Sequence, residues 1–296
     1  MTEMASTASR PAIGLVGLGH MGSAMATRFL DAGYQVYGTS RTRRRAEPLI
    51  AKGLRWRDDP RAVTKEAEVV LTSIPDDAAL AIVADGIISE LDDRKVWTDL
   101  STVSPRASRE LAARVADTGA RLLDAPVSGS VPQASAGTLT IMVGGDETAY
   151  ARVEPVLSVL GHPTYVGSNG QGLALKLGIN ISLAVQVLAV AEGLLLAERS
   201  GVDRAVALRV MTASPIGSPM LRAREQLLLD LPDEAWFDIG LMQKDLVLAL
   251  EAGRALTVPL PTATVADEML TVARALGYER RDIAAVFEVL NRLLVR

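Results

Sequence analysis

Hydrophobic and polar residues alternate along the first half of the chain in a pattern that predicts strands separated by helices. Short apolar runs predict strands over residues 12–17, 34–40, 68–75, 95–102, 121–127 and 137–145. Helical spacing lies between them, for example over 22–33 and 104–119. Such alternation is typical of a mostly parallel sheet with helices on both faces. A further short strand over 163–167 is expected to complete the sheet.

After Gly172 the pattern becomes helical. An apolar segment predicts one long helix from about Leu173 to Ser200, with Gly201 as its C-terminal cap. Further helices are expected over 203–213, 218–230, 238–256, 261–276 and 280–294. We therefore predict four parts of the chain: a disordered tail over 1–10, an α/β domain over 11–168, a connecting helix over 169–200 and an all-α domain over 201–296. Because ligand pockets commonly lie between domains, we expect the site there.

Composition narrows the class of protein. The chain has 296 residues, of which 49% are hydrophobic and 22% charged, and its net charge is −4. It has no cysteine, which excludes disulfides, thiolate metal sites and a catalytic cysteine. With His20 and His162 as its only histidines, we expect no metal centre. The mild acidity argues against a nucleic-acid partner.

The termini and the apolar segment bear on localisation. The first ten residues lack the apolar core of a signal peptide. The most apolar stretch is interrupted by Lys176, Asn180, Gln186 and Glu192, so a buried helix is favoured over a membrane span. We expect a cytoplasmic protein that binds no membrane.

A glycine-rich turn follows the first predicted strand. Gly17, Gly19 and Gly22 have the spacing of dinucleotide-binding domains, in which the glycines permit a tight turn, close approach of a pyrophosphate and helix–strand packing. The N-terminus of the following helix offers N–H groups to the phosphates. A chance glycine turn is the alternative. The predicted cofactor-binding residues here are Gly17, Leu18, Gly19, His20, Met21 and Gly22.

Four arginines follow the second predicted strand, in "TSRTRRR". NAD-selective domains place an acid here, which accepts hydrogen bonds from the ribose 2′-hydroxyl. An acid would repel a 2′-phosphate, whereas a guanidinium pairs with it. We therefore predict NADPH/NADP+ as the cofactor, with Arg41 as the main contact. A solvated basic helix start is the alternative, and it fits Arg43 or Arg44 best. The predicted contacts are Ser40, Arg41, Thr42 and Arg45.

Longer motifs carry a resemblance to a known family. They are "GLVGLGHMGSAMATRFLDAGYQVYGTSRT", "DLST", "DAPVSGSVPQASAGTLTIMVGG", "GQGLALKLGIN" and "LMQKDLVLAL", in this order over about residues 11–294. The chain resembles the β-hydroxyacid dehydrogenase family, which includes 3-hydroxyisobutyrate dehydrogenases, tartronate semialdehyde reductases and glyoxylate/succinic semialdehyde reductases. The resemblance implies a Rossmann-type domain, a long helix and a C-terminal domain like that of 6-phosphogluconate dehydrogenase. It also implies a homodimer or homotetramer.

Lys176 is the candidate catalytic residue. Reduction of an aldehyde needs a proton for the developing alkoxide, and a lysine can donate it while its charge stabilises the oxyanion. Asn180 lies one helical turn later on the same face. In the resembling family the equivalent lysine is the acid/base, and the nearby asparagine contacts substrate. The alternative for Lys176 is a helix-end lysine whose ammonium reaches solvent.

The segment "DAPVSGS" is predicted to hold a substrate carboxylate. It follows a strand, and Gly129 allows close approach of the backbone, so N–H groups and a hydroxyl of Ser128, Gly129 and Ser130 can bind an anion. A structural turn is the alternative. Asp124 is expected to order this loop.

Further cofactor contacts come from the resemblance alone. It puts Thr102 against the nicotinamide or its ribose, and Ile74 and Pro75 beneath the cofactor. In the helical domain, it brings Lys244 to the cofactor and Phe237 over the nicotinamide side. An N-cap role for Thr102, for which Ser104 is the stronger candidate, and a surface position for Lys244 are the alternatives.

Two departures from the family pattern bear on the substrate. The asparagine stands four residues after the lysine, as in glyoxylate/succinic semialdehyde reductases, whereas some members carry it at three. Gln133 lies near the substrate loop, where small residues are common. We expect an NADPH-dependent reductase of small aldehyde acids or semialdehydes, reversible to 3-hydroxy acid oxidation.

Two other functions stay open. An imine reductase has a related two-domain fold, although those enzymes generally carry another residue at the position of Lys176. A non-catalytic nicotinamide-binding module would bind NADPH without turning over any substrate. The joint presence of Lys176, Asn180 and Ser128 argues against such a module.

Overall fold

The computed structural model describes residues 10–294. The predicted tail over 1–10 therefore lies outside the described residues except for Arg10, whose guanidinium donates a hydrogen bond to the backbone oxygen of Ala32. The chain divides into two compact units, one up to Lys176 and the other from Leu177 onward.

The first unit contains the sheet. Across it the strand order is β3-β2-β1-β4-β5-β6-β8-β7, with β9 paired to β8. Pairing is parallel from β3 to β6 and between β8 and β9, whereas β8 runs antiparallel to β6 and β7. The predicted α/β fold with a mostly parallel sheet is confirmed. The strands are β1 (Ile13–Val16), β2 (Val36–Thr39), β3 (Arg55–Trp56), β4 (Val69–Thr72), β5 (Val96–Asp99), β6 (Arg121–Asp124), β7 (Val127–Ser128), β8 (Leu139–Gly145) and β9 (Gly161–Gly167).

Helices connect these strands, and acidic or hydroxyl side chains start several of them. Asp59, Asp76, Ser104 and Asp146 each accept a backbone N–H at the first turn of a helix, which confirms Ser104 as an N-cap. The helices of this part are α1 (His20–Asp31), α2 (Glu47–Ala51), α3 (Pro60–Glu66), α4 (Asp77–Ile87), α5 (Pro105–Ala116), α6 (Val131–Ala136) and α7 (Glu147–Leu157).

Both faces of the central strands are buried, which explains their continuous apolar runs. In β4, Val69 and Leu71 pack into one hydrophobic cluster, whereas Val70 packs into another. Successive side chains of a strand point to opposite faces, so each cluster covers one face of the sheet.

Two short strands were not predicted, because two residues are too few to show an alternating pattern. They are β3 and β7. The predicted strand over 121–127 ends instead at Asp124, and Val127–Ser128 pairs antiparallel to β8. Pro126 has no N–H to donate, so it cannot extend the parallel ladder.

The second unit is helical, as predicted. The long helix α8 (Gln171–Arg199) begins in the first unit and continues into the second. It is followed by α9 (Arg204–Ala213), α10 (Pro219–Ala223), α11 (Glu225–Leu229), α12 (Ile239–Leu256), α13 (Pro261–Ala275) and α14 (Val286–Leu294).

Two helix predictions in this unit were wrong in detail. The single helix expected over 218–230 is interrupted at Arg224, whose backbone angles (φ −100°, ψ 6°) leave the helical region. The helix expected over 280–294 starts later. Asp282 accepts the N–H of Ala284, and a 3₁₀ turn, Ile283–Ala285, precedes α14.

The helix α8 is long and apolar enough to cross a membrane by length and composition alone. Its most apolar window has a mean hydropathy of 1.9, and 44% of that window is buried inside the protein. A core helix of a soluble protein passes the same test. Because α8 also carries the buried polar residues Lys176 and Asn180, this match is weak support for a membrane span.

Candidate active site

The loops that follow five parallel strands meet at one edge of the sheet. Hydrogen bonds past the strand ends join each loop to its neighbour, so the predicted residues after β1, β2, β4, β5 and β6 lie along one edge. These bonds run from Gly17 N–H to Thr39 O (2.9 Å), from Ser73 N–H to Val16 O (2.9 Å), from Leu100 N–H to Thr72 O (2.9 Å) and from Ala125 N–H to Asp99 O (2.7 Å).

The glycine turn between β1 and α1 fits a pyrophosphate. Gly17 has φ +103°, and a Cβ there would lie 2.1 Å from the backbone oxygen of Ser73. A Cβ on Gly22 would lie 1.9 Å from the oxygen of Gly17, so neither position accepts a side chain. A Cβ on Gly19, by contrast, would meet nothing within 4 Å. Gly19 is the N-cap of α1 and supplies no side-chain cap, so open space adjoins the first N–H groups of this helix.

The other residues of the turn differ in exposure. The side chain of Leu18 is 2% exposed and packs in the core, so only its backbone can reach a cofactor. Met21 packs against the same cluster, whereas His20 is exposed.

The arginine segment begins where β2 ends. Arg41 and Thr42 are exposed, and the Oγ of Ser40 donates a hydrogen bond to the oxygen of Thr42 at 3.3 Å. The short 3₁₀ helix Arg43–Ala46 follows. Within it, the guanidinium of Arg43 lies 5.7 Å from the ring centre of Trp56, so this arginine has a packing partner on β3.

A buried carboxylate joins the loops after β4 and β5. Asp99 is 2% exposed and accepts hydrogen bonds from the hydroxyls of Thr72 and Ser101, both at 2.6 Å. The Oγ of Ser101 accepts the N–H of Ile74 at 3.0 Å. Burial raises the pKa of Asp99, and the hydrogen bonds from Ser101 and Thr72 oppose this rise. Ile74 and Thr102 thus stand on loops that one carboxylate holds together. Pro75, the next residue after Ile74, is exposed.

The loop after β6 carries the predicted carboxylate-binding residues. Ser128 pairs with Thr140 in the sheet, and Gly129 is exposed with φ +131°. The N–H of Ser130 donates to Oε1 of Gln133 at 2.9 Å. This N–H is therefore already engaged inside the protein, whereas the hydroxyls of Ser128 and Ser130 can still donate.

Asp124 orders the start of α8, and its expected effect on the 128–130 loop stays a prediction. It is 1% exposed and accepts the N–H groups of Gly170 at 2.7 Å and Leu173 at 3.1 Å. Burial raises its pKa, opposed first by these two backbone hydrogen bonds. Lys176 lies almost one turn beyond Leu173 and is 8% exposed, which argues against a lysine whose ammonium extends into solvent. The carboxyl end of β6 thereby fixes the helix segment that carries Lys176.

In the second unit, buried polar side chains hold one another. Nδ2 of Asn180 donates a hydrogen bond to Oδ2 of Asp245, and the two residues are 1% and 3% exposed. Nζ of Lys244 lies 2.7 Å from Oδ1 of the same carboxylate. Among the described residues, Oδ1 of Asn180 has no hydrogen-bond partner. The amide therefore keeps one buried acceptor that a hydroxyl donor would satisfy.

A second buried carboxylate of this unit holds Phe237. Asp282 is 0% exposed and accepts the N–H groups of Trp236 at 2.9 Å and Phe237 at 3.2 Å. Phe237 itself is half-buried. The hydrogen bond from its backbone N–H to Asp282 thus fixes the position of Phe237, just before α12 begins.

Sequence reasoning assigned no role to three acids that organise these groups: Asp99, Asp245 and Asp282. Asp99 ends an apolar strand and precedes two hydroxyl residues, and Asp245 follows Lys244 in an apolar helix, so an acid in apolar surroundings was a usable signal at both. Asp282 lies in the charged stretch "ERRD" and offered no such signal.

Comparison with known proteins assigns both halves of the chain to described domains. The NAD-binding domain of 6-phosphogluconate dehydrogenase matches residues 12–168. The NAD-binding domain of NADP-dependent 3-hydroxyisobutyrate dehydrogenase matches residues 170–290.

Individual relatives match over nearly the full length. A 2-(hydroxymethyl)glutarate dehydrogenase of Eubacterium barkeri is 34% identical over 95% of each chain. The chloroplastic glyoxylate/succinic semialdehyde reductase 2 of Arabidopsis thaliana is 32% identical over 94% of this chain and 79% of its own. A 3-hydroxyisobutyrate dehydrogenase structure from Mycobacterium tuberculosis, with L-serine, has a TM-score of 0.83 and 30% identity over 95% of this chain and 99% of its own.

Imine reductases share the fold at lower identity. The enzyme from Myxococcus stipitatus is 19% identical, with a TM-score of 0.65 over 95% of this chain and all of its own, a likeness that concerns the fold alone. By contrast, the two matched domains are nicotinamide-binding domains of hydroxy acid oxidoreductases. The chain belongs to the β-hydroxyacid dehydrogenase family.

Proposed function

We propose that the protein is an NADPH-dependent reductase of small aldehyde acids or semialdehydes, reversible to 3-hydroxy acid oxidation, with Lys176 as general acid/base. The observation that carries this proposal is the placement of Lys176. Lys176 is buried near the start of α8. Asp124, at the carboxyl end of β6, binds the first turn of this helix. The same edge of the sheet carries the glycine turn and the 128–130 loop.

The chemistry follows from the side chains at this edge. When bound, the nicotinamide supplies the hydride that the carbonyl carbon of the substrate accepts. Lys176 then donates a proton to the developing alkoxide oxygen, and its charge stabilises that oxygen before transfer. The hydroxyls of Ser128 and Ser130 hold the substrate carboxylate, and Gly129 lets it approach the backbone. The free Oδ1 of Asn180 accepts a hydrogen bond from the hydroxyl of the hydroxy acid, which is the product of reduction and the substrate of oxidation.

The cofactor assignment rests on two neighbouring loops. The open space at Gly19 and the start of α1 take the pyrophosphate, through the backbone of residues 17–22. Ser40, Arg41, Thr42 and Arg45 take the 2′-phosphate. Because an acidic residue is missing from the segment 39–45, nothing there repels that phosphate. Contacts of Ile74, Pro75, Thr102, Phe237 and Lys244 with the cofactor are proposed from the family resemblance.

The substrate class is proposed from the loop chemistry and from the relatives. Hydroxyl donors beside a glycine suit a carboxylate, and the named relatives act on glutarate, glyoxylate and semialdehyde compounds. These substrates share a carboxylate near a carbonyl or hydroxyl carbon. An imine substrate needs neither group, so the 128–130 loop favours the aldehyde acid over the imine.

A homodimer or homotetramer in the cytoplasm completes the proposal. Among the described residues, two leucines of α8 are exposed, Leu175 at 47% and Leu196 at 71%. Exposed apolar side chains on a helix suit a protein–protein interface, and the family resemblance implies an oligomer. Gel filtration with light scattering measures the state, and a monomer at micromolar concentration would contradict it.

A substrate and cofactor screen tests the proposed function. Purified protein is assayed with NADPH and NADH against glyoxylate, succinic semialdehyde, 3-hydroxyisobutyrate in the oxidative direction, and a cyclic imine. We expect turnover of the acids, with a higher kcat/KM for NADPH. Preferential reduction of the imine would assign the protein to the imine reductases. Tight NADPH binding without turnover in the whole panel would favour the non-catalytic module.

A further inference from the structure

A glutamine side chain reaches both residues at the tip of the proposed carboxylate-binding loop. Oε1 of Gln133, in the first turn of α6, accepts the N–H of Ser130 at 2.9 Å. The Cβ and Cγ atoms of Gln133 lie 3.0 and 3.4 Å from the point where a Cβ of Gly129 would stand. Gly129 has φ +131°, in the region that favours glycine, so its conformation is closed to most side chains. Gln133 therefore contacts Gly129 and hydrogen-bonds Ser130.

The hydrogen bond to Gln133 removes one donor from the loop. Successive backbone N–H groups in a turn bind anions when they are unoccupied. Here the N–H of Ser130 is satisfied by a neutral amide oxygen, so the loop offers the substrate its hydroxyls and one fewer backbone donor. Because the acceptor carries no net charge, it repels an anion bound beside it much less than a carboxylate would.

We propose that Gln133 determines specificity for the substrate carboxylate: it occupies the N–H of Ser130 with a neutral acceptor and so sets how strongly the loop binds an anionic substrate. The proposal rests on the proposed function, because it assumes that residues 128–130 bind this carboxylate. Gln133 acts through Ser130 and Gly129 and takes no part in hydride or proton transfer.

Two substitutions move carboxylate affinity in opposite directions. Gln133→Glu keeps an oxygen acceptor for the N–H of Ser130 but adds a negative charge next to the bound anion, which opposes binding. Gln133→Met has similar length and no comparable acceptor, so it releases the N–H of Ser130 to the substrate. A hydrogen bond to a charged group is stronger than one to a neutral group, so this release favours the anion.

The test compares two four-carbon aldehydes, succinic semialdehyde and butanal, at saturating NADPH. Gln133→Glu is expected to raise the KM for succinic semialdehyde about tenfold, and Gln133→Met to lower it about threefold, as a change of about 1.4 kcal/mol corresponds to tenfold. The KM for butanal and the kcat for both aldehydes stay within about twofold of wild type, since neither depends on the carboxylate contact.

Gln35→Glu is the matched control. It makes the same change on an exposed glutamine that precedes β2, at the opposite edge of the sheet, and should leave both KM values unchanged. Thermal unfolding and the Kd for NADPH establish that each variant is folded. If Gln133→Glu does not fold, Gln133→Met still carries the test, because it predicts a gain of affinity that a damaged protein would not show.

The possible outcomes separate this proposal from the proposed function. If wild type prefers succinic semialdehyde but neither Gln133 variant changes that preference, the role of Gln133 is wrong and the proposed function stands. Equal changes in the KM for both aldehydes would also overturn it. If wild type reduces butanal as well as succinic semialdehyde, the loop does not bind the carboxylate, and the proposed substrate class and the role of Gln133 are both wrong.

Discussion

The two units hold their candidate functional residues by different means. In the first, backbone hydrogen bonds past the ends of neighbouring parallel strands align the loops, as from Gly17 N–H to Thr39 O, and the buried carboxylates of Asp99 and Asp124 supplement them. In the second, buried polar side chains position the residues: Asn180 donates to Asp245, and Asp282 accepts the N–H of Phe237.

This difference predicts which substitutions each unit tolerates. A backbone ladder depends on strand register and on the few glycines that let strands and turns approach, so most side-chain changes leave it intact. A buried polar pair depends on both partners, because removal of one leaves the other unsatisfied. The first unit should therefore be sensitive at its glycines and at the buried carboxylates Asp99 and Asp124, whereas the second should be sensitive mainly at single polar side chains.

The largest effect on stability is expected at the glycine turn. Gly17→Ala places a Cβ 2.1 Å from the oxygen of Ser73 at a positive φ, so the free energy of unfolding should fall by about 3 kcal/mol or more. Gly19→Ala meets nothing within 4 Å, so it should cost less than about 1 kcal/mol yet weaken NADPH binding by crowding the pyrophosphate. Urea unfolding and fluorescence titration of NADPH measure both quantities. Equal destabilisation by the two variants would show that packing does not distinguish them.

The arginine segment should control cofactor choice without affecting stability. Arg41→Asp replaces an attractive charge by a repulsive one, so kcat/KM with NADPH relative to NADH should fall about tenfold to a hundredfold. Arg44→Ala is the control and should change this ratio less than about twofold. Equal effects of the two substitutions would mean that bulk positive charge, and not a defined contact, selects the cofactor.

In the second unit, the Asn180–Asp245 pair tests whether loss of one buried polar side chain lowers stability. Asn180→Leu leaves the carboxylate of Asp245 without its amide donor, so the free energy of unfolding should fall by about 2 kcal/mol. Ile181→Leu, a neighbouring swap of equal volume, should cost less than about 1.5 kcal/mol. Denaturant unfolding of both variants gives the answer. If Asn180→Leu were as stable as wild type, the buried pair would not hold this part of the unit.

The smallest effect is a pH dependence at Asp99. Because burial holds the pKa of Asp99 above its ordinary value, wild type loses stability as the pH rises from about 4 through the raised pKa, where the buried carboxyl becomes charged. Asp99→Asn lacks this loss. Its destabilisation, about 1 kcal/mol at pH 4, should therefore shrink towards neutral pH. Urea unfolding at both pH values tests this sign. A destabilisation that grows with pH would show that the hydrogen bonds from Thr72 and Ser101 outweigh burial.

The sequence predicts the first unit better than the second, because the first depends more on local patterns and the second on contacts between residues far apart in the chain. Strand periodicity and the glycine spacing are local signals, so they predict the parallel strands and the turn at residues 17–22. The two-residue strand β7 and the bond from Ser130 N–H to Gln133 depend on the antiparallel partner β8 and on the start of α6, which no local pattern shows. In the second unit, the contact of Asp282 with Phe237 joins residues far apart in the chain.

The most direct test of the proposed chemistry compares wild type with Lys176→Ala in the NADPH-dependent reduction of succinic semialdehyde. Removal of a general acid should lower kcat about a thousandfold. The Kd for NADPH should stay unchanged, and Lys52→Ala, at an exposed lysine, should leave both constants at wild-type values. If Lys176→Ala kept kcat within about threefold of wild type, Lys176 would not be the proton donor.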